Sequence, residues 1–256
     1  VVGVYELMFA VYSICYDIDG TGIQTTISRV VGAQLAKKNY KNVPKVLFIG
    51  LFLSISSAII LSLIVYFNAD YIACNIIHEP RLASSLKILT IVFPFCGTTA
   101  CINGYYYGLT KSAIPATSQL LEQIVRISIV YAAAVFFGNG NLKLTTELAI
   151  AGLVIGEISS TIFNIISYKT TYDTRRISNN AKRSTIKADK TKSMSKSILK
   201  MSVPLTSNRL IISLLISVEA VIIPSMLRRY GLSNTEALSI YGIINVMVKP
   251  FIMFPS

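Results

Sequence analysis

Uncharged stretches of membrane-spanning length constrain the fold of this chain more than any other feature of its sequence. Val46–Phe67 carries no charged side chain over 22 positions, and a helix of that length covers roughly 33 Å, enough to cross the hydrocarbon core of a bilayer. Ile88–Tyr107 repeats the pattern over 20 residues. Because 53% of the 256 residues are apolar and only 14% are charged, the sequence predicts an all-α, multi-pass transmembrane helical bundle.

The same pattern predicts seven membrane-spanning segments. The first begins at Val1 and continues to Ala36 through Asp17–Gly22, where two glycines predict a break or a bend. A second bend is expected near Pro94, because proline removes a helical hydrogen bond. The predicted segments are 1–36, Val46–Phe67, Ile88–Tyr107, Ala113–Phe137, Leu148–Tyr168, Met201–Leu227 and Ala237–Ser256.

The positive charge of the chain predicts its orientation in the membrane. The net charge is +12, and ten of the 24 Lys and Arg residues lie between Lys169 and Lys200. If the seven segments alternate, the connectors on one side carry 15 basic residues and those on the other side carry four. Basic connectors stay in the cytoplasm, so the richer side is placed inside and residue 1 outside. The distribution indicates membrane topology rather than a nucleic-acid surface.

The basic stretch also divides the chain. We predict an N-terminal helical lobe over residues 1–168, a basic cytoplasmic linker over 169–199 and the start of a C-terminal helical lobe over 200–256. The linker is expected to be mobile and to contact anionic membrane lipids. The chain begins at Val1 without a signal peptide and ends directly after an apolar run, so we expect a fragment of a longer protein that lacks its first helix.

Sequence motifs of enzymes and metal sites are scarce. His78 is the single histidine, which excludes a histidine-based triad and an HExxH zinc site from this chain. Cys96 and Cys101 lack the spacing of metal ligands and are interpreted as packing residues. Walker A and GxGxxG patterns do not occur. The sequence therefore predicts no enzyme, no metal and no cofactor.

Ionisable side chains inside the predicted segments are the candidate functional residues. Each costs about 2.5–3.5 kcal/mol to insert and usually faces a bundle interior or a wet cavity. Glu122 and Arg126 lie four residues apart on one helix face, so they either neutralise each other for insertion or line a cavity. Glu157 and Asp19 are candidate ion-coupling carboxylates, although Glu157 could instead pair with a neighbouring helix.

Three arginines on separate segments predict a cationic cavity. These residues are Arg29, Arg126 and Arg209, and a guanidinium is a natural partner of phosphate and pyrophosphate because it forms bidentate, charge-assisted hydrogen bonds. Arg209 follows the polar run Thr206–Asn208, whereas Arg29 could instead extend to the membrane interface. A pump for cationic drugs would need an acidic cavity.

Several motifs resemble those of the stage V sporulation protein B family, which are polysaccharide-biosynthesis exporters of the MATE-like flippase superfamily. The run Asn-Gly-Tyr-Tyr-Tyr-Gly-Leu at 103–109 and the run from Ala113 to Arg126 resemble its fourth-to-fifth helix region. Residues 20–23 and 27–29 resemble its second helix. Residues 204–206, 208–210, 219–220 and 223–224 resemble its seventh helix, and 251–256 resemble its eighth-helix end.

The resemblance implies a function as well as a fold. It implies a MATE-like flippase fold with two helical lobes around a central cavity, which moves an undecaprenyl-pyrophosphate-linked sugar across the bacterial cytoplasmic membrane by alternating access. A sporulation member would serve the peptidoglycan of the spore cortex. Five residues coincide with family motif positions and are the implied cavity residues, namely Arg29, Glu122, Arg126, Arg209 and Glu219.

Two other functions stay open at this point. One is a cation-coupled small-molecule or multidrug antiporter of the same superfamily, in which Glu122 or Glu157 would carry the proton or sodium ion. The other is a non-transporting membrane scaffold for a spore-envelope assembly, in which the basic loop would matter more than the cavity charges.

Overall fold

A computed structural model describes residues 2–80, 82–137, 146–183 and 191–248. Every regular element within these ranges is a helix, which confirms the all-α prediction. Three π-helical segments lie at Asp17–Thr21, Ile72–Ile76 and Ile244–Val248. The α-helices are α1 (Val2–Tyr16), α2 (Gly22–Ala36), α3 (Asn42–Tyr71), α4 (Leu82–Leu89), α5 (Phe93–Gly108), α6 (Ala113–Phe137), α7 (Thr146–Thr170), α8 (Tyr172–Arg183), α9 (Thr191–Arg229) and α10 (Asn234–Ile243).

Within the described ranges, three helices are long and apolar enough to cross a membrane, and a bent pair makes a fourth span if it is counted as one. The three are Asn42–Ile76, Leu148–Thr170 and Thr191–Arg229, and the bent pair is α4 with α5. Helix α6 has the bounds that the sequence predicts for the segment Ala113–Phe137. The predicted last segment, 237–256, lies outside the described residues beyond Val248.

The outer faces of these helices are strongly apolar. On α3, the side chains of Phe48, Phe52 and Phe67 are 77%, 70% and 76% exposed. A water-soluble protein rarely exposes so large a contiguous apolar surface. The exposed face of α3 is therefore suited to contact with lipid.

The predicted break in the first segment is a π-helical turn inside a longer helix. Helices α1 and α2 are joined by the π-helical segment Asp17–Thr21 without a non-helical residue between them. The Thr21 hydroxyl donates to Asp17 Oδ1 at 2.6 Å across this turn. An added Cβ on Gly20 would lie 3.4 Å from the ring of Tyr16, which is an ordinary contact distance. The segment is therefore a wide helical turn rather than an open break.

The second predicted bend is present, but it lies just before the proline. Helices α4 and α5 meet at 43°, and Pro94 occupies the start of α5 rather than its interior. Because proline has no N–H, the carbonyl of Thr90 loses its helical partner. The hydroxyl of Ser62 on α3 donates to that carbonyl at 2.8 Å, so a side chain of a neighbouring helix replaces the hydrogen bond that is lost at the bend.

Part of the basic connector is ordered and packs on the bundle. Residues 172–183 form α8, and α9 begins at Thr191 and continues into the following span. Ile177 on α8 and Ile198 on α9 are buried, at 8% and 0% exposure, in a core with residues of α2, α3 and α5. The expected mobility therefore does not extend to these helices. The division of the chain at 168 and 200 stays a prediction.

The helix directions agree with an alternating topology. Helices α2 and α5 run the same way, because Gly20 packs near Ala100 and Gly104 packs against Gln24. Both segments are predicted to run from outside to inside. Helix α9 runs antiparallel to α1 and α2, because Gly22 contacts Thr206 and Ala10 contacts Ser217. Helices α6 and α7 are antiparallel as well, because Ser118 contacts Ser160 and Glu122 contacts Gly156.

Candidate functional site

A group of polar side chains is buried between α1, α5, α6 and α7, at the depth of the membrane-spanning segments. Its centre is Glu157 of α7, which is 4% exposed. The Tyr12 hydroxyl of α1 donates to Glu157 Oε1 at 3.1 Å. The hydroxyl oxygen of Tyr12 also lies 3.4 Å from Cys96 Sγ of α5. We call this group the polar layer, and its members are Tyr12, Cys96, Thr99, Ser118, Glu122, Arg126, Glu157, Ser160, Thr161 and Asn164.

Hydroxyl groups continue the polar layer along α7. The hydroxyls of Thr161 and Thr99 lie 2.9 Å apart, which connects α7 to α5. At the neighbouring position of α7, the hydroxyl of Ser160 lies 2.7 Å from that of Ser118 on α6, and the Asn164 amide donates to Ser118 at 2.8 Å. Such hydrogen bonds hold helices together where water is absent.

The predicted pairing of Glu122 with Arg126 is present in the structure. The guanidinium of Arg126 contacts the Glu122 carboxylate, with side chains 20% and 14% exposed. The pair lies against α7 where that helix carries Gly152 and Gly156. A Cβ on Gly156 would lie 3.1 Å from the Glu122 carbonyl oxygen, so the small residues allow the close approach of α6 and α7.

Three buried atoms of the polar layer have no hydrogen-bond partner among the described residues. These are Nε of Arg126, Oε2 of Glu157 and Oδ1 of Asn164. A guanidinium offers five N–H donors, and a buried polar atom without a partner costs about 1–3 kcal/mol. The polar layer therefore keeps hydrogen-bonding capacity for another group, or for another arrangement of its own residues.

The other predicted site residues lie elsewhere. Asp19 is 1% exposed in the first π-helical segment, and Glu219 is half-buried on α9. Arg29 on α2 and Arg209 on α9 are exposed. Relative to the contact of Gly22 with Thr206, these two arginines lie in opposite directions, separated by roughly 15 Å along the helix axes at 1.5 Å per residue.

The structure therefore does not bring the three arginines together. Arg126 lies in the polar layer, because α6 packs chiefly on α7, whereas α9 packs on α1 and α2. The shared cationic cavity expected from the sequence is not formed by Arg29, Arg126 and Arg209 in this conformation.

Sequence reasoning missed Tyr12 and the two glycine pairs. Tyrosine is expected at the membrane interface, so Tyr12 in the middle of an apolar segment was a usable signal for a buried hydrogen bond. Gly152 and Gly156 form a GxxxG pattern, as do Gly104 and Gly108, and this spacing is typical of close helix packing in membranes.

Basic side chains line two cavities near the helix ends that are predicted to be cytoplasmic. One has a volume of about 260 Å³ and includes Tyr40, Lys111 and Arg176. The other has a volume of about 730 Å³ and includes Lys192, Lys196 and Lys200. Within the described ranges no group of three or more His, Cys, Asp or Glu side chains is placed to hold a metal ion.

Comparison with known proteins gives two matches over the whole chain. A family model described as "Polysaccharide biosynthesis protein" matches residues 1–256. Stage V sporulation protein B of Bacillus subtilis (strain 168) is 23% identical over 255 residues, which cover 100% of this chain and 48% of that protein. The chain thus spans about half the length of this curated relative. No solved structure matches the chain.

Proposed function

Because the chain belongs to the polysaccharide biosynthesis protein family, we propose that it forms part of a flippase rather than an enzyme. The substrate is a lipid-linked oligosaccharide, and the membrane is the bacterial cytoplasmic membrane. The sugar head group crosses through a hydrated path between helices while the lipid tail stays in the bilayer. The relative's name refers to sporulation, and within this proposal the substrate is an undecaprenyl-pyrophosphate-linked, lipid II-like precursor of spore peptidoglycan.

The observation that carries this proposal is the charged polar layer within helices of membrane-spanning length. Arg126 contacts Glu122 and still has a buried Nε without a partner among the described residues. A pyrophosphate would compete with Glu122 for the guanidinium, because both present oxygens in the geometry that arginine binds. Arg29 and Arg209, which are exposed at different depths, would contact the anion at other stages of its passage.

Movement between two lobes fits the position of α9. This helix packs on α1 and α2, and an added Cβ on Gly22 would lie 1.8 Å from Thr206 Oγ1. The contact is close but narrow, because α9 is exposed along most of its length. Alternating access would change this interface between α9 and the first two helices.

Substitution of Arg126 tests the proposal. In the intact protein reconstituted into liposomes, Arg126→Ala should slow translocation of an undecaprenyl-pyrophosphate-linked sugar by roughly 10- to 100-fold, since hydrogen bonds to charged groups contribute about 1.5–3 kcal/mol. Gln123→Ala is the matched control, because Gln123 is exposed on the same helix and should leave translocation unchanged. Full activity of Arg126→Ala would exclude this mechanism.

A second candidate function is favoured by Glu157. Its Oε2 atom is buried without a partner among the described residues, which is the environment of an ion-coupling carboxylate in a small-molecule antiporter. This function predicts that the intact protein confers drug resistance that Glu157→Gln abolishes. It also predicts that transfer of lipid-linked sugars does not depend on the protein, and measurement of both activities separates the two functions.

The basic cavities support a further proposal on partners. We propose that the cavity lined by Tyr40, Lys111 and Arg176 accepts the head groups of anionic lipids on the cytoplasmic side. Clustered basic side chains beside membrane helices attract such lipids, by about 1 kcal/mol for each charge near the surface. Replacement of anionic lipids by zwitterionic ones should then weaken lipid retention by the purified protein.

A further inference from the structure

Asp19 differs from every other carboxylate described in the membrane-spanning part of the chain. Its side chain is 1% exposed, and neither carboxylate oxygen has a hydrogen-bond partner among the described residues. An ionised carboxylate in such surroundings would be unfavourable, because no positive charge among the described residues replaces its hydration. The form compatible with this packing is the neutral acid, which carries a proton.

Asp17 provides an internal comparison two residues away. Its Oδ1 atom accepts a hydrogen bond from Thr21 at 2.6 Å, and its Oδ2 atom accepts one from Ser213 of α9. Both of its oxygens are therefore satisfied, and Asp17 is partly exposed. The same π-helical segment thus holds one carboxylate suited to the ionised state and one suited to the neutral state.

The groups that face Asp19 within the described ranges supply no counter-charge. From α3, the Ser54 hydroxyl donates to the Asp19 backbone carbonyl at 3.2 Å, and the nearby Ser57 hydroxyl donates to the Ser54 carbonyl at 3.0 Å. The titratable neighbours are the thiols of Cys15 on α1 and Cys101 on α5. The hydrogen bond from α9 to this turn goes from Ser213 to Asp17.

A metal cation fits this environment less well than a proton. Hard cations in proteins need several oxygen ligands directed at one point. Here Asp17 uses its oxygens for Thr21 and Ser213, and the serines of α3 donate to backbone carbonyls. A proton needs only the carboxylate itself.

We propose that Asp19 is a proton-binding site and that the structure shows its proton-loaded state. A water molecule or hydronium ion would transfer the proton to a carboxylate oxygen when the site is open, and the neutral acid then packs against α3 and α5. The π-helical turn provides the means of opening. Such a turn contains one residue more than an α-helical turn. Its conversion to an α-helical turn would rotate Asp19 by about 100° around the helix, at 3.6 residues per turn.

The inference rests on the proposed function for what the proton drives. Binding of a proton at Asp19 would favour one arrangement of the α1, α2 and α9 interface, because Asp17 of the same turn holds Ser213 of α9. Release of the proton on the other side of the membrane would favour the other arrangement. The site itself does not depend on the substrate, so it can be tested without one.

Infrared spectroscopy of the purified, intact protein tests the site directly. The wild type should show the C=O stretch of a buried protonated carboxyl group, and Asp19→Asn should remove one such component while Asp17→Asn leaves it in place. Thermal unfolding gives an independent measurement. Because deprotonation is unfavourable in the packed state, the wild-type Tm should fall as the pH rises from mildly acidic to alkaline, and the Tm of Asp19→Asn should depend less on pH.

Three results would overturn the proposal. These are a carboxyl band that Asp19→Asn does not change, a pH dependence of the wild-type Tm that Asp19→Asn retains, and loss of the band when NaCl replaces choline chloride at constant pH, which would indicate a sodium site. If Asp19→Asn does not fold, the pH and sodium titrations of the wild-type band still decide between proton and sodium. If the band and the pH dependence of the Tm are found as expected but the intact protein does not translocate the lipid-linked sugar, the proposed function is rejected and the proton site is retained.

Discussion

At the scale of single residues, the hydroxyl of Tyr12 joins three helices of the polar layer. It donates to Glu157 on α7 and lies 3.4 Å from Cys96 on α5. Tyr12→Phe removes this donor and leaves the buried carboxyl group with one partner fewer. We expect a loss of about 1–3 kcal/mol in the free energy of unfolding, measured by thermal unfolding of the protein in detergent.

The control for Tyr12→Phe is the same change at an exposed position. Tyr131 on α6 is 65% exposed, so Tyr131→Phe should change stability by less than about 0.5 kcal/mol. Equal effects of the two variants would show that the Tyr12 hydroxyl does not stabilise the polar layer.

Side-chain contacts within one helix could be predicted from the sequence, whereas side-chain contacts between helices could not. The spacing of Glu122 and Arg126 predicts their contact, because residues four apart always share a helix face. The partner of Glu157 could not be predicted, because Tyr12 lies 145 positions away in the chain. The exposure of Arg29 and Arg209 depends on how α9 packs against α2, which neither segment's composition reveals.

At the scale of the helices, glycine determines how closely α5 approaches α2. A Cβ on Gly104 would lie 2.5 Å from the backbone carbonyl oxygen of Gln24. Because this atom belongs to the main chain, the two helices must separate to make room. We expect Gly104→Ala to destabilise the protein by about 1–3 kcal/mol or more, as overpacking does, with thermal unfolding as the measurement.

The same helix pair offers a matched control for Gly104→Ala. The nearest atom to an added Cβ on Gly32 is the Gly108 carbonyl oxygen, at an ordinary contact distance of 3.7 Å. Gly32→Ala should therefore be neutral, or more stable by up to about 1 kcal/mol through higher helix propensity. If both alanine variants are equally destabilised, close packing at Gly104 is not the cause.

The bounds of α6 follow from the sequence, whereas the details of the breaks do not. The predicted bounds of α6 agree with the structure because its apolar run is replaced at both ends by glycine and polar residues. A bend near Pro94 was predictable, but its position depends on the hydrogen bond from Ser62 to Thr90. Likewise, glycines predict a weak point near Gly20, but not that hydrogen bonds of Asp17 hold it as a π-helical turn.

At the scale of the whole molecule, the alternation of helix directions was predictable from charge and the contacts between distant helices were not. Basic connectors alternate with poorly charged ones, and the observed parallel and antiparallel pairs fit that order. The contact between α9 and α1 could not be predicted from the sequence, because the apolar surface of a membrane helix does not indicate which other helix it packs against. That contact is what places Asp17 against Ser213.

The direction of the whole bundle across the membrane can be measured with the cysteines the chain already has. Cys74 is exposed in the π-helical segment that follows α3, whereas Cys15, Cys96 and Cys101 are buried. The charge distribution places Cys74 outside, so a membrane-impermeant maleimide should label it in intact cells. With Cys74→Ser as the background, Ser193→Cys at the exposed start of α9 should be labelled only after the membrane is permeabilised. The reverse pattern would place the basic helices outside, and the lipid head-group cavities and the direction of proton movement would then have to be reassigned together.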